Sequence, residues 1–116
     1  MAAGTQTVNF FGNGIRYTNS ATADNDVLIQ TDDISRYDTF MVMSTAGTVD
    51  VYVSLDGTTY STAALSLVDQ GATTSDPVVV TAALRSYGFR GKYSKVRVLV
   101  AGATNPTAAS LVCGNI

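Results

Sequence analysis

From Thr48 to Leu55 the chain alternates two kinds of side chain without interruption: Val49, Val51, Val53 and Leu55 on one side, Thr48, Asp50, Tyr52 and Ser54 on the other. A period of two belongs to a strand with one face in a core and one toward water, whereas a helix would scatter the same residues around its circumference. Asp56-Gly57 follows and predicts a tight hairpin turn, since glycine readily takes the positive φ such turns require. Lys95 to Val100 repeats the pattern, with Val96, Val98 and Val100 inward and Lys95, Arg97 and Leu99 outward. Phe40-Met41-Val42-Met43 is apolar on both faces, as expected of a central strand covered on its second side by another sheet or by a partner. Shorter candidates are Val8–Phe11, Ile15–Thr18, Val27–Gln30, Ala64–Val68, Val78–Ala82 and Leu111–Cys113, separated by Gly12-Asn13-Gly14, Asp32-Asp33, Gly71-Ala72 and Gly102-Ala103. About eight or nine short strands at this spacing predict an all-β fold, a β-sandwich or jelly roll.

Composition agrees. All nine acidic residues are Asp, which favours caps and turns, and Thr and Val, which favour pleated surfaces, are abundant. A chain of 116 residues suits one domain spanning 1–116 with one core. Residues 1–7 and 101–116 read as short irregular terminal arms. The opening Met1-Ala2-Ala3-Gly4-Thr5-Gln6-Thr7 lacks the basic start and apolar run of a secretory signal, and no uncharged apolar run is long enough to span a bilayer. The expectation is a protein made in a host cytoplasm without export, with no membrane partner. Cys113, the only cysteine, reads as a small buried apolar residue.

The chain has no His, no Glu and no Trp. General acid–base, metal and thiol chemistry draws mainly on His, Glu and paired Cys, so the expectation is a protein that is not an enzyme and needs no cofactor or metal. Asp24-Asn25-Asp26 begins like a calcium loop, but Leu28 stands where a third ligand belongs and no Glu closes the loop; an Asx turn is the better reading. Asp32-Asp33 reads as a solvated strand end.

Charge is segregated along the chain. Residues 1–76 hold all nine Asp against Arg16 and Arg36, a balance of -7, while residues 77–116 hold Arg85, Arg90, Lys92, Lys95 and Arg97 and no acid, a balance of +5. Either the fold keeps these groups apart as an acidic and a basic side, or antiparallel pairing interleaves them. Within Arg85-Ser86-Tyr87-Gly88-Phe89-Arg90-Gly91-Lys92-Tyr93, cations alternate with aromatics, as in single-strand nucleic-acid binders. The pattern departs from the RNA-recognition signature at Ser86, Arg90 and Lys92, and the acidic whole-chain balance opposes a phosphate backbone, so no nucleic-acid partner is expected. The remaining readings bury Tyr87 and Phe89 in the core, or use Arg90 and Lys92 to pair with carboxylates of a protein neighbour.

Two resemblances add to this. Val51-Tyr52-Val53-Ser54-Leu55-Asp56-Gly57-Thr58-Thr59-Tyr60 and Lys92-Tyr93-Ser94-Lys95-Val96-Arg97-Val98 are similar to the strand, Asp-Gly turn and Tyr-x-x-Val-Arg segments of discoidin-like, galactose-binding jelly rolls. That similarity implies a carbohydrate-binding module, on a phage tail or baseplate, with Tyr52, Tyr60, Tyr87 or Tyr93 as stacking platforms. More broadly, the small Ala/Thr/Val/Gly-rich chain, through 39–54, 55–68 and 89–103, resembles head decoration (cement) proteins of tailed bacteriophages. This resemblance implies a structural virion protein, an oligomer on the capsid surface that clamps adjacent major-capsid subunits, and the two-sided apolar run at 40–43 with the opposite charges of the two chain regions predicts a dimer or trimer. Arg85, Arg90, Lys92, Lys95, Arg97, Tyr87 and Tyr93 are then the candidate docking residues.

Overall fold

The computed structural model describes residues 6–21, 27–70, 84–101 and 107–115, and these form an all-β, two-sheet sandwich. Its strands are β1 (Thr7–Phe11), β2 (Gly14–Ala21), β3 (Val27–Gln30), β4 (Thr39–Ala46), β5 (Val49–Ser54), β6 (Val68–Asp69), β7 (Ser86–Arg90), β8 (Lys95–Val100) and β9 (Thr107–Gly114). One sheet has six strands in the order β1-β2-β9-β4-β7-β6; the other has three, β3-β8-β5. All the pairings are antiparallel. The Val78–Ala82 strand, the Asp24-Asn25-Asp26 loop and the Gly71-Ala72 and Gly102-Ala103 turns lie outside the described residues. No helix among the described residues is long and apolar enough to cross a membrane.

The core fills the space between the sheets. Ile15, Tyr17, Phe40, Val42, Tyr87, Phe89, Ala109, Leu111 and Cys113 face in from the larger sheet, and Leu28, Ile29, Val49, Val51, Val96, Val98 and Val100 from the smaller. β8 obeys its alternation throughout. β5 obeys it only as far as Tyr52: Ser54 is buried, Val53 is half-buried and Leu55 is 77% exposed. The reversal has a local cause, because the Ser54 hydroxyl accepts the Gly57 N–H at 2.9 Å and donates to Asp56 at 3.1 Å, drawing a polar side chain inward at the turn. The chain does turn back at Asp56-Gly57, but the return is a single bridge, Ser54 to Tyr60, and not a second hairpin strand. In β3 a register shift between Val27 and Ile29 lets two successive residues, Leu28 and Ile29, both enter the core.

The chain's end differs most from expectation. Thr107–Gly114, of which only Leu111–Cys113 read as a strand and the rest as irregular arm, is a strand in the middle of the six-stranded sheet, paired with β2 on one side and β4 on the other. Its Thr107, Ala109, Leu111 and Cys113 face the core and are buried. Burial pushes the Cys113 thiol up to about 12, which keeps it un-ionised and inert as a nucleophile. At the other end, Thr7 already belongs to β1, and the Gln6 carboxamide bonds both backbone groups of Gln30, accepting from its N–H at 2.9 Å and donating to its carbonyl at 2.8 Å.

Candidate functional site

The basic segment is not one patch. Tyr87 and Phe89 alternate inward from β7 and are buried, so the aromatics that stood out between cations are core residues. Phe89 stacks on Phe40 with centroids 4.9 Å apart, and Tyr93 tilts against both rings at 5.9 and 6.2 Å, closing that end of the core. Tyr93 sits on Gly91, whose φ is +149° and where an added Cβ would fall 2.8 Å from the ring. Arg85 is paired with Asp69, and that hydrogen-bonded carboxylate holds its guanidinium further above the ordinary arginine range. Arg90 and Lys92 are exposed, while Lys95 and Arg97 stand on the opposite sheet.

Arg97 occupies the middle of the smaller sheet's outer face, flanked in register by Gln30 on β3 and Tyr52 on β5. Its guanidinium carbon lies 3.9 Å from the centroid of the Tyr60 ring, and its Nε donates to Gln30 Oε1 at 2.9 Å. Gln30 Nε2 in turn donates to the Tyr60 hydroxyl. A cation fixed on one ring face and by one amide is preorganised, and here it ties the 55–60 turn to β8 and β3. Beside it, Val53, Leu55, Asp56, Thr59, Tyr60, Ser61 and Tyr93 line an open hollow of about 440 Å³. The Asp56 carboxylate there is held down to about 2 by the Thr59 and Thr58 N–H groups and the Ser54 hydroxyl. Tyr60 and Tyr93 thus meet at one hollow, whereas Tyr87 is internal and Tyr52 belongs to the Arg97 row.

The outer face of the six-stranded sheet is of another kind. Register places Asn9, Arg16, Val112, Met41, Gly88 and Val68 in one row across all six strands. The next row carries Thr7, Thr18, Ser110, Met43 and Ser86. Gly88 keeps the first row open: an added Cβ would stand 3.0 Å from Met41 Sδ and 3.1 Å from Gln70 Nε2, so these flexible side chains would have to give way. Its lack of a side chain forms the floor of a hollow of about 450 Å³ between Met41, Val68, Gln70, Thr39 and Arg90. Among the described residues of these strands, the two rows hold no acid, the face's cations are Arg16 and Arg90, and the paired Asp69 and Arg85 border a hollow with Met43 and Ser86 at its margin. Met41 and Met43 were foreshadowed by the two-sided apolar run at 40–43; Val68 and Val112 were not, because their neighbours come from distant segments.

Among the described residues no three Cys or Asp side chains come together in a group able to hold a metal ion. Asp33 is engaged locally: its carboxylate accepts the Ser35 N–H at 3.0 Å, and that bond lowers its pKa.

No protein-family model and no curated protein matches the sequence. Solved structures share the fold. SPBc2 prophage-derived protein YomS aligns over 90% of this chain and 97% of its own at 11% identity, with a TM-score of 0.67. The cupin domain of an XRE-family transcriptional regulator from Enterobacter cloacae aligns over 98% and 97% at 8% identity, with a TM-score of 0.55. Protein NMB1881 from Neisseria meningitidis aligns over 95% and 83% at 7% identity, with a TM-score of 0.50. The fold is therefore a jelly-roll-like sandwich of the kind found in cupin domains and in a prophage-derived protein.

Proposed function

We propose that this chain is a structural virion protein that seats on a bacteriophage capsid through the outer face of its six-stranded sheet, with adjacent major-capsid subunits as partners. The observation that carries the reading is that face: broad, uncharged between Arg16 and Arg90, and studded with Met41, Met43, Val112 and Val68 among short hydroxyl side chains. Met43 and Val68 are 37% and 43% exposed, so apolar surface is available for contact. Methionine adapts to an irregular partner surface, and Arg16 and Arg90 favour an electronegative one. The likeness to a prophage-derived protein supports the phage setting. Arg90 is the docking cation on this face; Lys95 and Arg97 belong to the other.

A second reading rests on Tyr60 and Tyr93 at the hollow beside Asp56, an arrangement suited to stacking and hydrogen-bonding a sugar ring. One co-sedimentation experiment separates the two. Met41→Asp and Arg90→Glu are expected to weaken binding to capsids lacking this protein at least tenfold, with far-ultraviolet circular dichroism unchanged, while Tyr60→Ala binds as wild type. Full retention by both face variants sinks the docking reading; reproducible glycan-array binding lost in Tyr60→Ala establishes the second.

A further inference from the structure

A sheet edge presents unpaired N–H and C=O groups, and proteins protect such edges by shortness, covering groups, charge or proline. Three of the four edges here are protected. β6 has only two residues. The β5 edge is covered by the returning chain, where Ser61 N–H donates to the Val53 carbonyl at 2.9 Å and Leu65 N–H to the Val51 carbonyl at 2.7 Å. The β3 edge is blocked by Gln6, which occupies both Gln30 backbone groups, and by Asn19, whose amide donates to the Leu28 carbonyl at 2.8 Å. β1 is different. Among the described residues it has β2 on one side and no strand on the other. Thr7-Val8-Asn9-Phe10-Phe11 is exposed at all five positions, carries no charge and no proline, and shows no break in its register with β2. Val8, Phe10 and Phe11 are 38%, 77% and 48% exposed.

The backbone pattern tells what fits. Phe11 and Gly14 flank a two-residue turn and so exchange the bonds that close the hairpin. Alternation along an antiparallel ladder then directs the backbone groups of Asn9 and Thr7 to β2 and leaves those of Val8 and Phe10 on the open edge. This spacing is its own complement. Two antiparallel copies related by a two-fold axis at Asn9 match Val8 of each with Phe10 of the other, forming four backbone hydrogen bonds and two Val–Phe side-chain pairs on one face. Because the strand is uncharged, no repulsion opposes the pairing. We propose that β1 is a self-recognition strand, pairing with β1 of a second copy to make one continuous twelve-stranded sheet across a two-fold dimer. The inference is independent of the capsid reading.

Five residues a side make a small interface, so the dissociation constant is expected in the micromolar range or weaker. Sedimentation velocity from about 5 to about 500 µM tests it, with wild type passing from monomer to dimer across the series. Val8→Pro removes an outward N–H without touching the β2 ladder and should abolish the dimer at unchanged circular dichroism. Asn9 stands opposite itself, so Asn9→Asp or Asn9→Lys alone should weaken pairing about fivefold, and an equimolar mixture of the two should restore it as a heterodimer. A monomer throughout the series overturns the proposal and leaves the edge to a strand of another protein. A dimer indifferent to Val8→Pro and to both Asn9 variants overturns it equally.

Discussion

Asp56 shows how one side chain sets the geometry of its surroundings. A single carboxylate oxygen accepts the Thr58 and Thr59 N–H groups at 2.8 Å each and the Ser54 hydroxyl at 3.1 Å, which is why the chain turns there and why Ser54 is drawn inward. These donors lower its pKa from the ordinary 3.8 to about 2 in the folded protein. A folded-state pKa below the unfolded one means a stabilisation fully present above about pH 4 and lost as pH falls toward about 2. Asp56→Ala is therefore expected to lower the melting temperature at neutral pH and to flatten the decline between about pH 4 and pH 2. Thermal melts followed by circular dichroism check this, and an acid limb as steep as that of wild type would show that the turn does not depend on the carboxylate. The Asp-Gly pair announced the turn; the inversion of Ser54 and Leu55 was hidden, because alternation records hydrophobicity and not the pull of a buried hydrogen bond.

At the scale of elements, β9 joins β2 to β4 and places Leu111 and Cys113 in the core. A chain ending before Thr107 loses a central strand, and the halves of the six-stranded sheet lose their connection. Such a truncation is expected to give no cooperative unfolding transition, whereas loss of an arm would leave the transition near wild type; urea denaturation distinguishes them. β5 and β8 were legible in the sequence because each carries a two-residue period over a buried face, unbroken in β8 and kept in β5 as far as Tyr52. Of β9 only Leu111–Cys113 was legible; Thr107-Ala108-Ala109-Ser110 contrasts too weakly in hydropathy to register as alternation, though its burial alternates at every residue. β7 was obscured by its arginines: the cations flanking Tyr87 and Phe89 left a stacking platform and a buried pair both open, and because a strand turns alternate residues to opposite sides both rings went inward. Of the candidate site, Arg90 was legible as an exposed cation, while the face it borders exists only after strands distant in sequence have paired.

For the whole molecule, the charge segregated along the chain is largely mixed by folding. Arg85 meets Asp69, and the strand carrying Lys95 and Arg97 lies directly beside the strand carrying Asp50. What emerges is one large face whose two central rows hold no acid, and not an acidic half opposed to a basic half. The Gln6 carboxamide has a consequence on this scale too, best put in terms of valence. A protein with one sticky edge is monovalent toward its own kind: association ends at two. A protein with two is bivalent, and a head-to-tail contact that does not close continues without limit. By occupying the Gln30 N–H and carbonyl, the Gln6 side chain, together with the Asn19 amide that donates to the Leu28 carbonyl at 2.8 Å, keeps the β3 edge from becoming a second point of growth. Gln6→Ala combined with Asn19→Ala is expected to convert a species that stops at the dimer into one whose light scattering climbs with time, and adding Val8→Pro should arrest that climb; chain growth terminates where two side-chain amides stand in for a strand.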